Sequence, residues 1–228
     1  MKREFLSAAV LVLVGAIAPA QAAIVFSNFG AILVFSNQHS VFLSSVQPIA
    51  MPFAVAPGTG FDLTQIDIGI THNSFVPGSV NAAVVQLLTD VNGLPGAVVD
   101  SWVLSGLPEV DTTTLEASQQ ITGIVGDRLV GGAHYWLVAT GLSSWMAWAF
   151  PSPEVAGPVA FSPDSGTTWV LSPTGRQGGF DVLGTPVPIA QVPEPASWAL
   201  LSLGLAALAT KRRRPAKPQA CDMVAPLL

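Results

Sequence analysis

The chain has 228 residues, half of them hydrophobic, and a formal net charge of −5. Twelve of its 14 acidic residues lie between residues 23 and 195, whereas Arg128 and Arg176 are the only Lys or Arg residues between residues 23 and 192. A central region with this excess of negative charge repels nucleic acid and anionic membranes, so it is not expected to bind either of them. Because Cys221 is the single cysteine, packing rather than disulfides must stabilise this region.

The N-terminus has the parts of an export signal. A basic start precedes an apolar run, residues 6–18, which is too short to span a membrane comfortably. Ala20 and Ala22 then supply the small residues that signal peptidase requires before its cleavage point. We therefore predict a signal peptide at residues 1–22 and a mature chain that begins at Ala23.

The region from residue 23 to residue 184 has the pattern of one all-β domain. Short apolar runs are separated by Gly, Pro, Asn and Ser, without a helical period. Alternation at residues 66–71 predicts a half-buried strand, and the apolar run at residues 80–88 predicts a strand covered on both faces. Residues 90–96 are dense in turn formers, and residues 98–104 follow as the hairpin partner.

Further strands are predicted along the rest of this region. They are residues 112–124, 134–140, 145–150, 169–171 and 179–183. Roughly eight to ten strands without intervening helices indicate an antiparallel β-sandwich or jelly roll rather than an α/β fold. Four phenylalanines of the opening strands are predicted to point into the core: Phe26, Phe35, Phe42 and Phe53.

Several short pieces of this region share their pattern with a known family. The pieces are an early strand at residues 61–70, an Asn-Gly-Leu-Pro-Gly turn at 92–96, a Tyr-Trp-Leu strand at 129–138, an Asp-x-Gly-x-x-Trp turn at 164–169 and a closing strand at 180–184. Together they resemble the choice-of-anchor domains of the R type, over about residues 55–184. That family is named for variable surface anchors and has no established activity.

Local signatures of catalysis and metal binding are missing from the sequence. The three histidines, His39, His72 and His134, have no zinc-binding spacing, and there is neither a Gly-x-Ser-x-Gly elbow nor a phosphate-binding glycine loop. Asp90 and Asp164 each lie shortly before a glycine, and at both places we favour a turn capped by the Asp side chain over a calcium-binding loop. We predict no cofactor, no metal and no enzymatic activity; a secreted hydrolase assembled from distant residues remains an alternative.

Four tryptophans lie close together in the second half of the domain. Trp136 belongs to the Tyr-Trp-Leu run and is predicted to lie in the core, and Trp169 follows a turn. Trp145 and Trp148 take opposite faces of one predicted strand, so at most one of them points inward. Because an exposed aromatic ring can stack on a sugar ring, a carbohydrate-binding module that uses the exposed member of this pair is an alternative function.

The C-terminal region follows a Pro-rich linker, residues 185–191, and contains an apolar run at residues 196–210. As a helix, that run covers roughly 22 Å of the ~30 Å hydrocarbon core, and snorkelling of flanking cations closes the gap. Basic residues stay on the cytoplasmic side, so we predict a transmembrane helix with residues 215–228 as a cytoplasmic tail. Two motifs flank the helix: Val192, Pro193, Glu194 and Pro195 before it, and Lys211, Arg212, Arg213 and Arg214 after it.

Taken together, residues 192–214 resemble the PEP-CTERM sorting signal of Gram-negative bacteria, which is also labelled an ice-binding protein C-terminal domain. The resemblance implies that an exosortase, a membrane enzyme, acts near the Pro-Glu-Pro and releases or transfers the ectodomain. The chain departs from the usual pattern because it continues for 14 residues after the basic cluster. We expect a membrane-anchored precursor in the inner membrane and a mature protein at the cell surface or in the extracellular matrix, with exopolysaccharide as a candidate partner.

Overall fold

The computed structural model describes residues 21–29, 34–72, 78, 80–109, 116–142 and 146–187. Every regular element in these ranges is a β-strand, and the strands pair antiparallel, which confirms the predicted all-β class. The strands are β1 (Ala23–Ser27), β2 (Val34–Leu43), β3 (Ile49–Ala54), β4 (Gly60–Ile68), β5 (Ile70–His72), β6 (Ala82–Val91), β7 (Leu94–Ser105), β8 (Glu116–Ala117), β9 (Gln119–Thr122), β10 (Arg128–Leu129), β11 (His134–Gly141), β12 (Met146–Pro151), β13 (Ala156–Phe161), β14 (Val170–Arg176) and β15 (Phe180–Val187).

Both predicted targeting segments fall mainly outside the described ranges. Residues 188–228, which include the apolar run 196–210, lie outside the described ranges. The predicted signal peptide also lies outside them, except for its last two residues, and so does Trp145. Within the described ranges, no helix is long and apolar enough to cross a membrane. Because β15 continues to Val187, the first three residues of the predicted linker 185–191 belong to a strand.

The strands form three sheets. The order of the five-stranded sheet is β1-β15-β4-β10, with β9 also paired to β4; the order of the six-stranded sheet is β14-β13-β3-β11-β6-β7; and the order of the four-stranded sheet is β5-β12-β2-β8. Most neighbours in space are distant in sequence. The first and last described strands, β1 and β15, pair with Ala23 opposite Gly184.

One hydrophobic cluster joins all three sheets. It includes Ile66 and Phe180 from the five-stranded sheet, Leu137 from the six-stranded sheet and Trp148 from the four-stranded sheet, all fully buried. Strand alternation sends every second residue of these strands into this shared core. The ring centroids of Trp148 and Phe180 are 6.0 Å apart in an edge-on arrangement, and the Trp148 indole N–H donates a hydrogen bond to the Gly179 carbonyl at 3.0 Å.

β6 and β7 form the predicted hairpin. Its two turn residues, Asn92 and Gly93, have φ angles of 57° and 79°. Such positive φ angles at both positions are what a two-residue type I′ turn requires, and Asn-Gly is its preferred pair. The pairing then runs from Val91 opposite Leu94 back to Ala82 opposite Ser105.

The described ranges contain more strands than the eight to ten predicted. β13 is absent from the predicted strands because it contains Gly157 and Pro158, residues that usually interrupt a strand. Its pairing with β14 shifts register between Gly157 and Val159. A bulge of this kind accommodates a proline inside a sheet, since no ladder hydrogen bond is then required from it.

The predicted core phenylalanines whose side chains the structure describes divide between core and surface; the side chain of Phe35 lies outside the described part of the chain. Phe53 is buried, and Phe26 packs against the same cluster, as predicted. The prediction is wrong for Phe42, which is 57% exposed. Its neighbour Leu43 is the buried residue at the end of β2, and alternation therefore turns Phe42 to the outside.

The predicted half-buried strand at residues 66–71 is divided and more deeply covered than predicted. β4 ends at Ile68 and β5 begins at Ile70. Asp67, which alternates with the core isoleucines, is only 4% exposed. The sheet is therefore covered on both faces at this point, although the polar residue predicts a solvent-facing side.

Candidate functional site

The sorting-signal residues 192–214 and Ala20 lie outside the described residues. Ala22 is exposed and lies outside any strand, and Ala23 is the first residue of β1. The predicted cleavage point therefore coincides with the start of the described fold. Cleavage there leaves the pairing of Ala23 with Gly184 in place.

Trp148 does not fit the role of a carbohydrate contact. The sequence left open which member of the Trp145 and Trp148 pair points inward. The structure buries Trp148 completely, with its ring in the shared core and its N–H bonded to Gly179. A ring with both faces packed against protein cannot stack on a sugar, so Trp148 is removed from the candidate site. Trp145 lies outside the described residues.

Asp90 caps the β6–β7 turn, as predicted. Its Oδ1 accepts a hydrogen bond from the Gly93 amide at 3.0 Å, and its Oδ2 accepts one from the indole N–H of Trp136 at 2.8 Å. Both carboxylate oxygens are thus used to fix the turn against β11, and Trp136 is buried as predicted. Among the described residues, no group of three or more His, Cys, Asp or Glu side chains is arranged to hold a metal ion.

Asp164 organises the turn that precedes Trp169. Its Oδ1 accepts hydrogen bonds from the Thr168 amide at 2.7 Å and the Ser162 hydroxyl at 2.8 Å, and its Oδ2 accepts one from the Thr168 hydroxyl at 2.8 Å. The Ser162 oxygen in turn accepts the Gly166 amide at 2.7 Å. These bonds, the Thr168 amide foremost, lower the pKa of the Asp164 carboxyl below its ordinary value. The turn is therefore held by an ionised side chain.

The turn places Trp169 over the six-stranded sheet, on the face opposite the shared core. Trp169 is half-buried there and packs against a second cluster that contains Trp136, Val138 and Ala160. It lines an open groove of about 390 Å³, together with Gln86, Leu88, Val138, Thr140 and Ser165. An aromatic wall beside one amide and two hydroxyl groups is the kind of surface that binds an uncharged polar ligand.

A second groove of about 550 Å³ lies between the four-stranded and six-stranded sheets, beside Phe150 and Arg176. Its single cation is already engaged, since Arg176 Nε is 3.1 Å from an oxygen of Glu154 and the guanidinium carbon is 6.0 Å from the centre of the Phe150 ring. The described residues that line the two grooves include no Asp, Glu or His.

Two further pairs of titratable side chains lie outside the residues that line the grooves. His72 is buried, with its Nδ1 2.9 Å from an oxygen of Glu109, whereas His134 is exposed at the start of β11. Burial, together with a hydrogen bond and the negative charge of Asp100, raises the pKa of Asp127 to about 6. These pairs were not evident in the sequence, because their members lie far apart along the chain.

The described residues form an all-β, antiparallel domain, which is followed along the chain by the segment that contains the predicted sorting signal. The model of the PEP-CTERM protein-sorting motif matches residues 191–214. The chain therefore carries this motif, as predicted for residues 192–214, and the motif marks it as an exosortase-targeted protein of the cell surface. No curated protein matches the chain. The resemblance of residues 55–184 to choice-of-anchor domains stays a prediction.

Proposed function

We propose that the chain is a non-enzymatic surface or extracellular-matrix protein of a Gram-negative bacterium, delivered by its C-terminal signal. The observation that carries the proposal is the sorting motif at residues 191–214. Signal peptidase removes residues 1–22, the apolar helix at 196–210 holds the precursor in the inner membrane, and an exosortase then processes it. Exopolysaccharide is the matrix component with which the mature protein associates.

The ectodomain suits a structural role outside the cell. Three antiparallel sheets that share one hydrophobic core support a β-sandwich or jelly-roll arrangement. Residues 23–184 contain no cysteine, so the domain does not depend on the redox state of its surroundings. Its strongly acidic composition favours solubility and disfavours contact with anionic lipid.

Export predicts a defined N-terminus. The protein recovered from the cell surface or medium should begin at Ala23, because Ala20 and Ala22 meet the small-residue requirement of signal peptidase and β1 begins at that residue. N-terminal sequencing of the recovered protein checks this. Recovery of material that retains Met1 would contradict export by a cleaved signal.

A second candidate function, carbohydrate binding, is favoured by the groove beside Trp169. Part of the Trp169 ring is accessible, the turn of Asp164 fixes its position, and Gln86 and Thr140 supply hydrogen-bonding groups beside it. The described lining residues of this groove carry no charge. Because the whole domain is acidic, an anionic polysaccharide would be repelled; we therefore propose a neutral polysaccharide as the ligand.

Substituting Trp169→Ala should weaken neutral-polysaccharide binding by about five- to tenfold, since loss of a stacked aromatic ring removes roughly 1–1.5 kcal/mol. Affinity electrophoresis of the full chain in gels that contain dextran, xylan or a soluble glucan measures the effect. Phe42→Ala is the matched control, because Phe42 is an exposed aromatic residue on another sheet. Equal retardation of wild type and Trp169→Ala, or no retardation of wild type, would remove this candidate function.

A further inference from the structure

A row of polar side chains crosses the five-stranded sheet on the face opposite the shared core. In register, Ser27 of β1 is opposite Asp181 of β15, Asp181 is opposite Asp67 of β4, and Asp67 is opposite Gln120 of β9. Directly opposite residues of a sheet point to the same side. Four oxygen-bearing side chains therefore lie next to one another, and the two in the middle are carboxyl groups.

The two carboxyl groups are withdrawn from solvent. Asp67 is 4% exposed and Asp181 is 5% exposed, whereas Ser27 and Gln120 at the ends of the row are exposed. Burying a negative charge is costly unless a partner compensates it, and two adjacent negative charges also repel each other. The pair therefore requires a compensating positive charge or a proton.

The exported part of the chain has no spare Lys or Arg to supply that charge. Its only two, Arg128 and Arg176, are exposed and contact other acids: Arg128 Nε is 3.1 Å from Asp62, and Arg176 Nε is 3.1 Å from Glu154. Neither arginine neighbours the carboxyl pair in the register of the five-stranded sheet.

The hydrogen bonds of the pair leave one oxygen without a partner. Gln65 donates to Asp67 Oδ1 at 2.8 Å, and the Ser27 side chain and the Phe29 amide hydrogen-bond the Asp181 carboxyl. Oδ1 of Asp181 is nevertheless buried with no hydrogen-bond partner. Burial raises the pKa of Asp181, and the negative charge of Asp67 raises it further; the hydrogen bonds from Ser27 and Phe29 offset this rise only in part. A bound cation would satisfy the free oxygen and both charges at once.

We propose that Asp67 and Asp181 form a binding site for Ca²⁺, with the Ser27 hydroxyl and water molecules completing the coordination. Ca²⁺ takes six to eight oxygen ligands in flexible geometry, and carboxylates are its principal ligands in proteins. Mg²⁺ demands a regular octahedron of oxygen ligands and gives up its bound water reluctantly, so it should bind this site more weakly than Ca²⁺. With only two carboxylates, an affinity of about 10⁻⁴–10⁻³ M, the range of extracellular calcium modules, is expected.

Thermal unfolding of the EDTA-treated full chain at pH 7.5 tests the site. Addition of 10 mM CaCl₂ should raise the melting temperature by roughly 3–10 °C, and 10 mM MgCl₂ should raise it less. Asp67→Asn and Asp181→Asn should each lose this calcium shift. Asp62→Asn is the matched control: it removes the same charge from the same strand, but at an exposed position, and it should keep the shift.

Equilibrium dialysis with ⁴⁵Ca²⁺ provides a second measurement that does not rely on unfolding. Wild type should bind one ion per chain, and Ser27→Ala, a mild change at an exposed position, should weaken binding several-fold even if an aspartate variant fails to fold. Absence of both binding and a calcium shift would overturn the proposal and leave a shared proton as the compensation. Asn variants that retain the wild-type shift would overturn it equally, because the ion would then bind elsewhere.

Discussion

Replacing Glu194 with alanine should leave a full-length ectodomain retained in the membrane with its C-terminal segment uncut, while wild type yields a shortened protein at the surface or in the medium. Glu194 lies in the Pro-Glu-Pro of the sorting motif at residues 191–214, outside the apolar run 196–210. The substitution therefore leaves the hydrophobic segment unchanged, so insertion should be normal. Recognition by the exosortase should fail, and the expected effect is loss of most or all processing.

Immunoblots of membrane and surface fractions from cells that produce each form measure this effect. Gln191→Ala is the matched control, because residue 191 lies within the matched segment but outside the Pro-Glu-Pro, and it should be processed as wild type. If wild type stays in the membrane at the same size as Glu194→Ala, residues 192–214 act as an ordinary anchor and the sorting proposal is wrong.

Trp148→Ala should destabilise the domain by about 3–5 kcal/mol, the usual cost of removing a large aromatic side chain from a core. Trp148 is fully buried in the cluster that joins the three sheets. The Gly179 carbonyl that it contacts also accepts the Gly69 amide at 3.1 Å, so the cost comes mainly from the cavity rather than from an unsatisfied carbonyl. For a domain of this size the melting temperature should fall by roughly 6–20 °C.

Chemical and thermal unfolding of the full chain followed by circular dichroism provides the measurement. Val125→Ala is a suitable control, because Val125 is 91% exposed and its truncation should change the melting temperature very little. A Trp148→Ala variant that unfolds within about 2 °C of wild type would mean that the indole is not part of the shared core.

The features that the sequence predicts well are local ones. The Asn92-Gly93 turn follows from the dipeptide itself, because few other residue pairs adopt positive φ at both positions. The hairpin that it joins follows from the apolar runs on either side. β11 and the turn cap at Asp90 are likewise contained in a few consecutive residues, and the structure has both of them.

The features that the sequence does not predict depend on residues that are distant along the chain. Alternation predicts that Trp145 and Trp148 face opposite ways, but it does not predict which of the two points inward, because that depends on the sheet packed against the strand. The position of Asp67 among isoleucines predicts a solvent-facing side chain. Its burial beside Asp181 depends on the pairing of β4 with β15, and a single sequence gives no register for strands so far apart.

Processing of the C-terminal signal is tested most directly by determining the C-terminus of the mature protein. Mass spectrometry of intact and digested protein from the cell surface identifies it. The proposed function predicts a chain that begins at Ala23, ends near Pro195 and lacks the apolar run at residues 196–210. Peptides that contain Cys221 in the surface protein would show that the tail is retained and would contradict processing at the sorting signal.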